Sequence, residues 1–416
     1  MKGKGRNANS MGKRVMDRLD ELAQISESPG MLTRRFLTPA HARAMDQVGA
    51  WMREAGLQVR VDPIANVIGR LEGRRPGAPA ILIGSHIDTV IDAGKYDGNL
   101  GVVAGIEAAA ALASVPDKLE HAVEVIAFGD EEGVRFPSHL LSSRSLTGAV
   151  RARDLDVVDA DGISVKAALG GLGLPDGLAA CKRADKDIAA YIEVHIEQGP
   201  VLQAKRAALA AVTAINGAAR MRVRVEGIAG HAGTVPMALR QDALAAAAEM
   251  VVAVEEIGRE GGDKLVATVG RTDVRPNAVN VVPGEVHFTI DVRSPSDAIR
   301  MAAQKKIATA LHKIGKKRQV RVTAETYYEM PATKMDDRIV AAVSAGIAAV
   351  GQKPIMLASG AGHDAMAIAP KWPAAMMFVR CTDGISHNPA EHITRDDSDL
   401  AVRALIAAIR HLDATL

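Results

Sequence analysis

Residues 81–103, ILIGSHIDTVIDAGKYDGNLGVV, constrain the chain more than any other stretch. The apolar run Ile81-Leu82-Ile83 reads as a buried strand that stops at Gly84. His86 and Asp88 follow at once, then Lys95-Tyr96-Asp97-Gly98, and a helix starts near Leu100 with Val102, Val103 and Ile106 on its apolar side. A His-x-Asp pair at a strand end lets an imidazole meet a metal while the carboxylate orients it. Asp97, in the next loop, offers an oxygen ligand or a bridge between two metals. Taken alone, His86 reads more readily as a structural histidine; three further acidic and histidine clusters reverse that.

The flanking pattern tells what such a strand belongs to. Residues 11–26 and 39–56 have helical spacing, the second behind a Thr38-Pro39 cap. Strands are expected at 58–61 and 66–71, a helix at 98–113, and a strand at 121–128 (HAVEVIAF) that empties into Gly129-Asp130-Glu131-Glu132-Gly133. Strands alternating with helices argue for an α/β layer with a mainly parallel sheet flanked by helices. In such sheets, sites gather outside the carboxyl ends of the strands, where both His86 and Glu131-Glu132 fall. Residues 170–180, GGLGLPDGLAA, lack the dinucleotide fingerprint and read as a loop between helices. Residues 188–194 then lead into His195-Ile196-Glu197-Gln198.

Near residue 213 the style changes. Residues 220–226, RMRVRVE, alternate strictly, which is the mark of a half-exposed strand. A helix at 237–258, strands at 265–269 and 286–292, a helix at 296–314 and a strand at 320–324 complete a β-α-β-β-α-β order, that of a ferredoxin-like α+β domain. A chain of 416 residues accommodates two domains at roughly 100–200 residues each. The expected division is a catalytic domain over 1–212 and 329–416, with an inserted domain over 213–328. In the second catalytic segment a helix is expected at 335–350, buried segments at 354–358 and 374–380, and a last helix at 396–414.

Composition narrows the function classes. A net charge of +2 gives no global pull toward nucleic acid or membrane, and no run approaches the roughly 18 apolar residues of a membrane span. With 48% hydrophobic but only 3% aromatic residues, the cores must be aliphatic. The basic opening MKGKGRNANSMGKR lacks a signal peptide's apolar segment and reads as a frayed terminus. Cys181 and Cys381 form no metal-binding pair, and a reduced, cytoplasmic setting is the simplest expectation.

Four clusters carry chemistry: His86/Asp88 with Asp97; Glu131-Glu132; His195 with Gln198; and Ser386-His387-Asn388-Pro389-Ala390-Glu391. Three histidines with carboxylates make a two-metal site whose ligands suit Zn or Mn. Paired metals lie about 3.5–4 Å apart. Neighbouring glutamates are usually a solvated charge run. Behind a buried strand and a glycine, one of Glu131 and Glu132 can bind metal while the other stays free as a base.

The motifs GSHIDTV, YDG, GDEEG, HIEQGPVL and SHNPAE, in this order, resemble the M20-type metallohydrolases. More narrowly, they are similar to the amidase branch of allantoate amidohydrolases, N-carbamoyl-L-amino-acid hydrolases and β-ureidopropionases. The likeness covers nearly the whole chain from about residue 15. It implies two divalent ions, with His86 and His195 on one, Glu132 and His387 on the other, and Asp97 bridging. Asp88 would orient His86, and Glu131 would be the general base. His195 stands where the family's peptidases carry a carboxylate, which favours an amidase. GIAGHAGTVPM resembles the family's lid loop, so His231 would stabilise a developing oxyanion, in related enzymes from the partner subunit; the inserted domain would thus serve as lid and dimerisation domain of a homodimer. RPNAVN and DVR also match. Arg293 would grip a substrate carboxylate, with Asn277, Asn280 and Gln198 among the substrate contacts and His363 (in SGAGHDA) near the substrate or behind the ligands. Ala65 occupies a place often held by glycine.

IDAGKYDGNLGV, GDEEGVRFP and SGAGHDA look most like allantoate amidohydrolases. The expected substrate is a small ureido acid, allantoate first, with N-carbamoyl-L-amino acids and N-carbamoyl-β-alanine as alternatives. A pocket difference of about 1–3 kcal/mol suffices to switch among them. An inactive relative that only binds a ligand is the reading from another class. Loss of Glu131 or of a ligand would mark it, and all are present.

Overall fold

Strand Ala80–His86 is buried along its whole length and pairs in parallel with Ala122–Phe128 on one side and Ile188–Ile196 on the other. The computed structural model describes residues 10–174 and 177–416. The expectation for the first nine residues, and for Pro175 and Asp176 within the glycine-rich loop, lies outside them. Ala374–Val379 adds a further parallel strand to Ile188–Ile196. The sheet continues through antiparallel strands: Val67–Leu71 and then Gln58–Val61 beyond Ala122–Phe128, and Leu209–Ile215 beyond Ala374–Val379. Its central strands are covered on both faces, which is why they read as continuous apolar runs.

Two local devices set the loops at the carboxyl ends. Helix Asn99–Ala113 is buried almost all round, and Asp97 stands two residues before it. Its cap is Gly98, at φ +65, where a Cβ would lie 2.4 Å from the His86 ring. Only glycine permits both that backbone and that approach. Ala65 sits at φ +69, a left-handed position that costs a non-glycine residue about 1–2 kcal/mol. Asp62 holds the turn, its Oδ1 accepting from the amides of Ile64 and Asn66.

The described residues fall into two compact units: up to Thr213, Met335–Leu357 and Ala361–Leu416 in the first, Ala214–Lys334 with Ala358–Gly360 in the second. The expected boundary at 328 falls inside strand Arg321–Met330. The second unit's antiparallel sheet runs in the order Arg321–Met330, Gly217–Glu226, Glu285–Ser294, Val266–Arg275. Helices Ala243–Glu260 and Asp297–Arg318 cover one face, packing on Met221, Val223, Val225, Phe288 and Ile290. Arg220, Arg222 and Arg224 point to the other face and are exposed, as their alternation requires.

Several elements depart from the sequence reading, among them helix Leu141–Thr147, which it did not expect. The first helix of the second unit begins at Ala243 instead of 237, because the Asp242 carboxylate accepts from the amides of Leu244 and Ala245. Strand Leu209–Ile215 (LAAVTAI) went unseen; it is alanine-rich and nearly wholly buried, so it shows no alternation. Within 151–187, where the sequence offered only a loop between helices at 170–180, the chain forms a helix at Val165–Gly170 and short 3-10 turns.

Candidate metal centre and active site

The site is built at the carboxyl ends of the parallel strands of the first unit. His86 ends its strand, His195 is the penultimate residue of Ile188–Ile196, and Glu131-Glu132 follow strand Ala122–Phe128 by a short turn. His387 lies on the loop before the last helix, Arg395–Thr415, with its backbone at φ +54. The two oxygens of Asp97 face different imidazoles. Oδ1 lies 3.1 Å from His195 Nε2 and 3.5 Å from His86 Nε2, while Oδ2 lies 3.3 Å from His387 Nε2. His387 Nε2 is also 3.6 Å from Glu132 Oε2, and His86 Nε2 is 3.9 Å from Glu131 Oε2. Potential ligand atoms of His86, Asp97 and His195 lie within 4.8 Å of one another, as do those of Asp97, Glu132 and His387.

Neighbouring groups fix these side chains. The Nδ1 of His86 is 3.1 Å from the Asp88 carbonyl and 3.5 Å from Asp88 Oδ1, leaving Nε2 to face the cluster. The Asp88 carboxylate accepts from the amides of Glu131 (3.2 Å) and Glu132 (3.1 Å), so one side chain orients the imidazole and pins the glutamate loop. His195 Nδ1 is turned to the Ile196 carbonyl at 2.9 Å. Glu391 Oε1 accepts from the amides of Tyr96 and Asp97, and Ser386 Oγ lies 3.0 Å from Asp97 Oδ2. Gln198 donates to Asp97 Oδ2 at 2.7 Å, again from a backbone at positive φ.

The electrostatics are those of a donor set built for a cation. Burial pushes the Glu131 carboxyl well above the usual carboxylate range, and Glu132, buried beside Asp97, is pushed up to about 7. Burial also raises Asp97, but hydrogen bonds to His195, His387 and His86 outweigh it and hold it well below the ordinary value. Asp97 in turn raises His387 to about 9. Glu132 Oε1 is buried without a hydrogen-bond partner among the described residues. Carboxylates driven to keep protons beside imidazoles driven to gain them release those protons when a divalent cation binds. The donor set therefore fits divalent metal.

Other predicted residues are placed as follows. His363 is fully buried, its ring 4.4 Å from that of His195 in an edge contact, so it lies against a ligand candidate. His231, Asn277, Asn280 and Arg293 belong to the second unit. His231 is exposed at a two-stranded pairing with Val281, and its Nδ1 accepts from the Gly233 amide, so the neutral ring carries its proton on Nε2. The Asn280 carbonyl accepts from the Ala232 amide, and Asn277 stands at φ +58. Arg293 is forked onto Asp291 (2.8 and 3.2 Å) and donates to the Gly360 carbonyl.

Glu193 and Asp364 were missed. Glu193 is buried one pleat below His195 and accepts from Tyr191 and the Ala365 amide; burial raises its pKa, and raises that of Asp364 well above the ordinary value. The i, i+2 spacing of Glu193 and His195 on one strand was the available signal.

Comparisons with known proteins point to one family. The chain matches Peptidase family M20/M25/M40 over residues 82–411. It is 40% identical to an allantoate deiminase of Arabidopsis thaliana, over 94% of this chain and 80% of that one. It is 39% identical to an N-carbamoyl-L-amino acid amidohydrolase of Geobacillus stearothermophilus, over 96% and 98%. A hydantoinase/carbamoylase family amidase from Burkholderia multivorans superposes with a TM-score of 0.91 at 33% identity, covering 98% of this chain and 99% of that one. With its motifs, its sheet and these relatives in agreement, the chain belongs to the M20/M25/M40 peptidase family.

Proposed function

We propose that the chain is a metal-dependent amidohydrolase that cleaves a linear C–N bond in a small ureido acid, allantoate first. The observation that carries this reading is the arrangement around Asp97, whose two oxygens face separate groups of imidazoles. His86 and His195 would hold one divalent ion, Glu132 and His387 the other, with Asp97 between them; Mn and Zn suit these donors. Bound there, the ions supply Lewis acidity, lowering the pKa of water and polarising a carbonyl.

The chain's own residues do the rest. Glu131 takes a proton from the attacking water and returns it to the leaving nitrogen. The carbamoyl carbon gains an oxygen and loses ammonia; the carbamate left behind releases carbon dioxide, giving ureidoglycine from allantoate. Asp88 keeps His86 and the glutamate loop in register, and His363 backs His195. In a homodimer formed through the second unit, His231 would offer its Nε2–H to the developing oxyanion. Asn277, Asn280 and the Gln198 carbonyl, which is buried and unpartnered among the described residues, would bind the polar groups of the substrate. Arg293 keeps two of its five N–H donors outside the three bonds it makes, and these would anchor a carboxylate.

The Geobacillus relative supports hydrolysis of N-carbamoyl-L-amino acids as the second reading, with the same catalytic assignments. The test is ammonia release by metal-stripped protein after Mn²⁺ or Zn²⁺ is restored, on allantoate, an N-carbamoyl-L-amino acid and N-carbamoyl-β-alanine side by side. Metal-dependent release from allantoate alone is the expected result; release from a carbamoyl amino acid alone moves the substrate to the second reading. Silence on all three with metal bound would return the chain to the inactive-relative reading.

A further inference from the structure

Arg34 is fully buried and forms no ion pair with a carboxylate among the described residues, the charge of Asp88 acting on it only from a distance, an expensive place for a cation unless its fork is satisfied. It is satisfied almost entirely by backbone. Nε donates to the Ile87 carbonyl at 2.7 Å, Nη1 to the carbonyls of Leu22 and Ile25 at 2.9 Å each, and Nη2 to the Asn99 side-chain oxygen at 2.6 Å. Its own backbone pairs with Thr89 in both directions, accepting from the Thr89 amide at 3.0 Å and donating to Thr89 Oγ1 at 2.9 Å. Leu22 lies in the last turn of helix Met11–Ala23, so a cation there also meets the negative end of that helix.

The partners matter more than their number. Ile87 stands between His86 and Asp88. Asn99 is tied back to Asp97, its side-chain amide and its backbone amide both donating to the Asp97 carbonyl. One rigid, planar guanidinium thus spans the loop that carries His86 and the turn that carries Asp97. We propose that Arg34 is a positioning residue that fixes the separation of His86 and Asp97, and through it the affinity of the site for its metal. The proposal rests on the metal reading of the cluster. Lysine keeps the charge but is a point donor on a flexible stem, so it cannot reach Ile87 and Asn99 together.

The test is Mn²⁺ affinity, measured by titrating the metal-stripped full chain, for the wild type, Arg34→Lys and Asn99→Ala. Arg300→Lys serves as a control, since Arg300 is a buried arginine of the second unit paired with Asp297. The expected result is a loss of roughly ten- to a hundredfold in affinity for Arg34→Lys and for Asn99→Ala, the usual range for groups that orient ligands. Arg300→Lys should bind as the wild type does, and KM at saturating Mn²⁺ should be unchanged in Arg34→Lys. A folded Arg34→Lys with wild-type affinity overturns the proposal. Should Arg34→Lys not fold, wild-type affinity in Asn99→Ala overturns it equally. Failure of the wild type itself to bind Mn²⁺ or Zn²⁺ would instead remove the metal reading beneath it.

Discussion

Glu131 separates binding from turnover. Its carboxyl is largely but not wholly buried, its backbone amide is held by Asp88, and Glu132 beside it faces His387. Glu131→Gln preserves the shape of the loop and deletes the base, so metal affinity should persist while kcat falls by roughly 10²–10⁴-fold. A normal kcat in that variant would take the base role from Glu131. Arg293 makes a second separable prediction. Arg293→Ala removes a charge-assisted contact of about 1.5–3 kcal/mol, so KM for carboxylate substrates should rise by roughly ten- to a hundredfold with kcat little altered. An unchanged KM would leave Arg293 as the partner of Asp291 alone. His86, Asp97, Glu131 and His387 were legible because each follows a break in a pattern, at a strand end or in a glycine-bounded loop. Arg34 was not, since a charged residue within a loop carries no mark of the partners that will surround it; for Glu193 the two-residue spacing from His195 marked a shared strand face but not its partners. Those partners come from Leu22, Asn99, Tyr191 and Ala365, and only the fold assembles them.

Helix Pro39–Glu54 shows how an element beside the site carries its own pH dependence. Thr38 caps it, as the sequence suggested, and it buries His41 in its first turn against Phe36. Neither ring nitrogen of His41 has a hydrogen-bond partner among the described residues, and burial lowers its pKa from 6.5 to about 4. The unfolded chain then binds the extra proton between those values, so stability rises with pH across the window and falls as the medium is acidified. His41→Leu should remove this dependence. Its unfolding free energy relative to the wild type should grow by up to about 3 kcal/mol as pH drops from 6.5 to 4, measured by urea denaturation of both chains. Parallel pH profiles would show that His41 does not carry the acid limb. At this scale the sequence was most readable where burial leaves a pattern: both-face-buried strands as apolar runs, strand Gly217–Glu226 as alternation. Leu209–Ile215 escaped because alanine marks neither period, and its strand conformation is imposed by pairing with Ala374–Val379.

For the molecule as a whole, the catalytic proposal distributes its residues over both units: the candidate base in the first, the exposed His231 in the second. That distribution makes complementation between subunits a sharp test of the homodimer. Glu131→Gln and His231→Ala chains are each expected to be inactive as pure dimers. If His231 serves the partner's site, a mixed dimer holds one site with both lesions and one with neither. Random exchange of equal amounts makes half the dimers mixed, so activity should return to about a quarter of the wild-type value. If His231 serves its own chain's site, every site in the mixed dimer keeps one lesion and nothing returns. The exchange itself is checked independently, by co-purification of differently tagged chains. A silent mixture with verified exchange would then place His231 within its own subunit. Chains that are monomers by sedimentation would remove the dimer from the mechanism and leave His231 to its own chain.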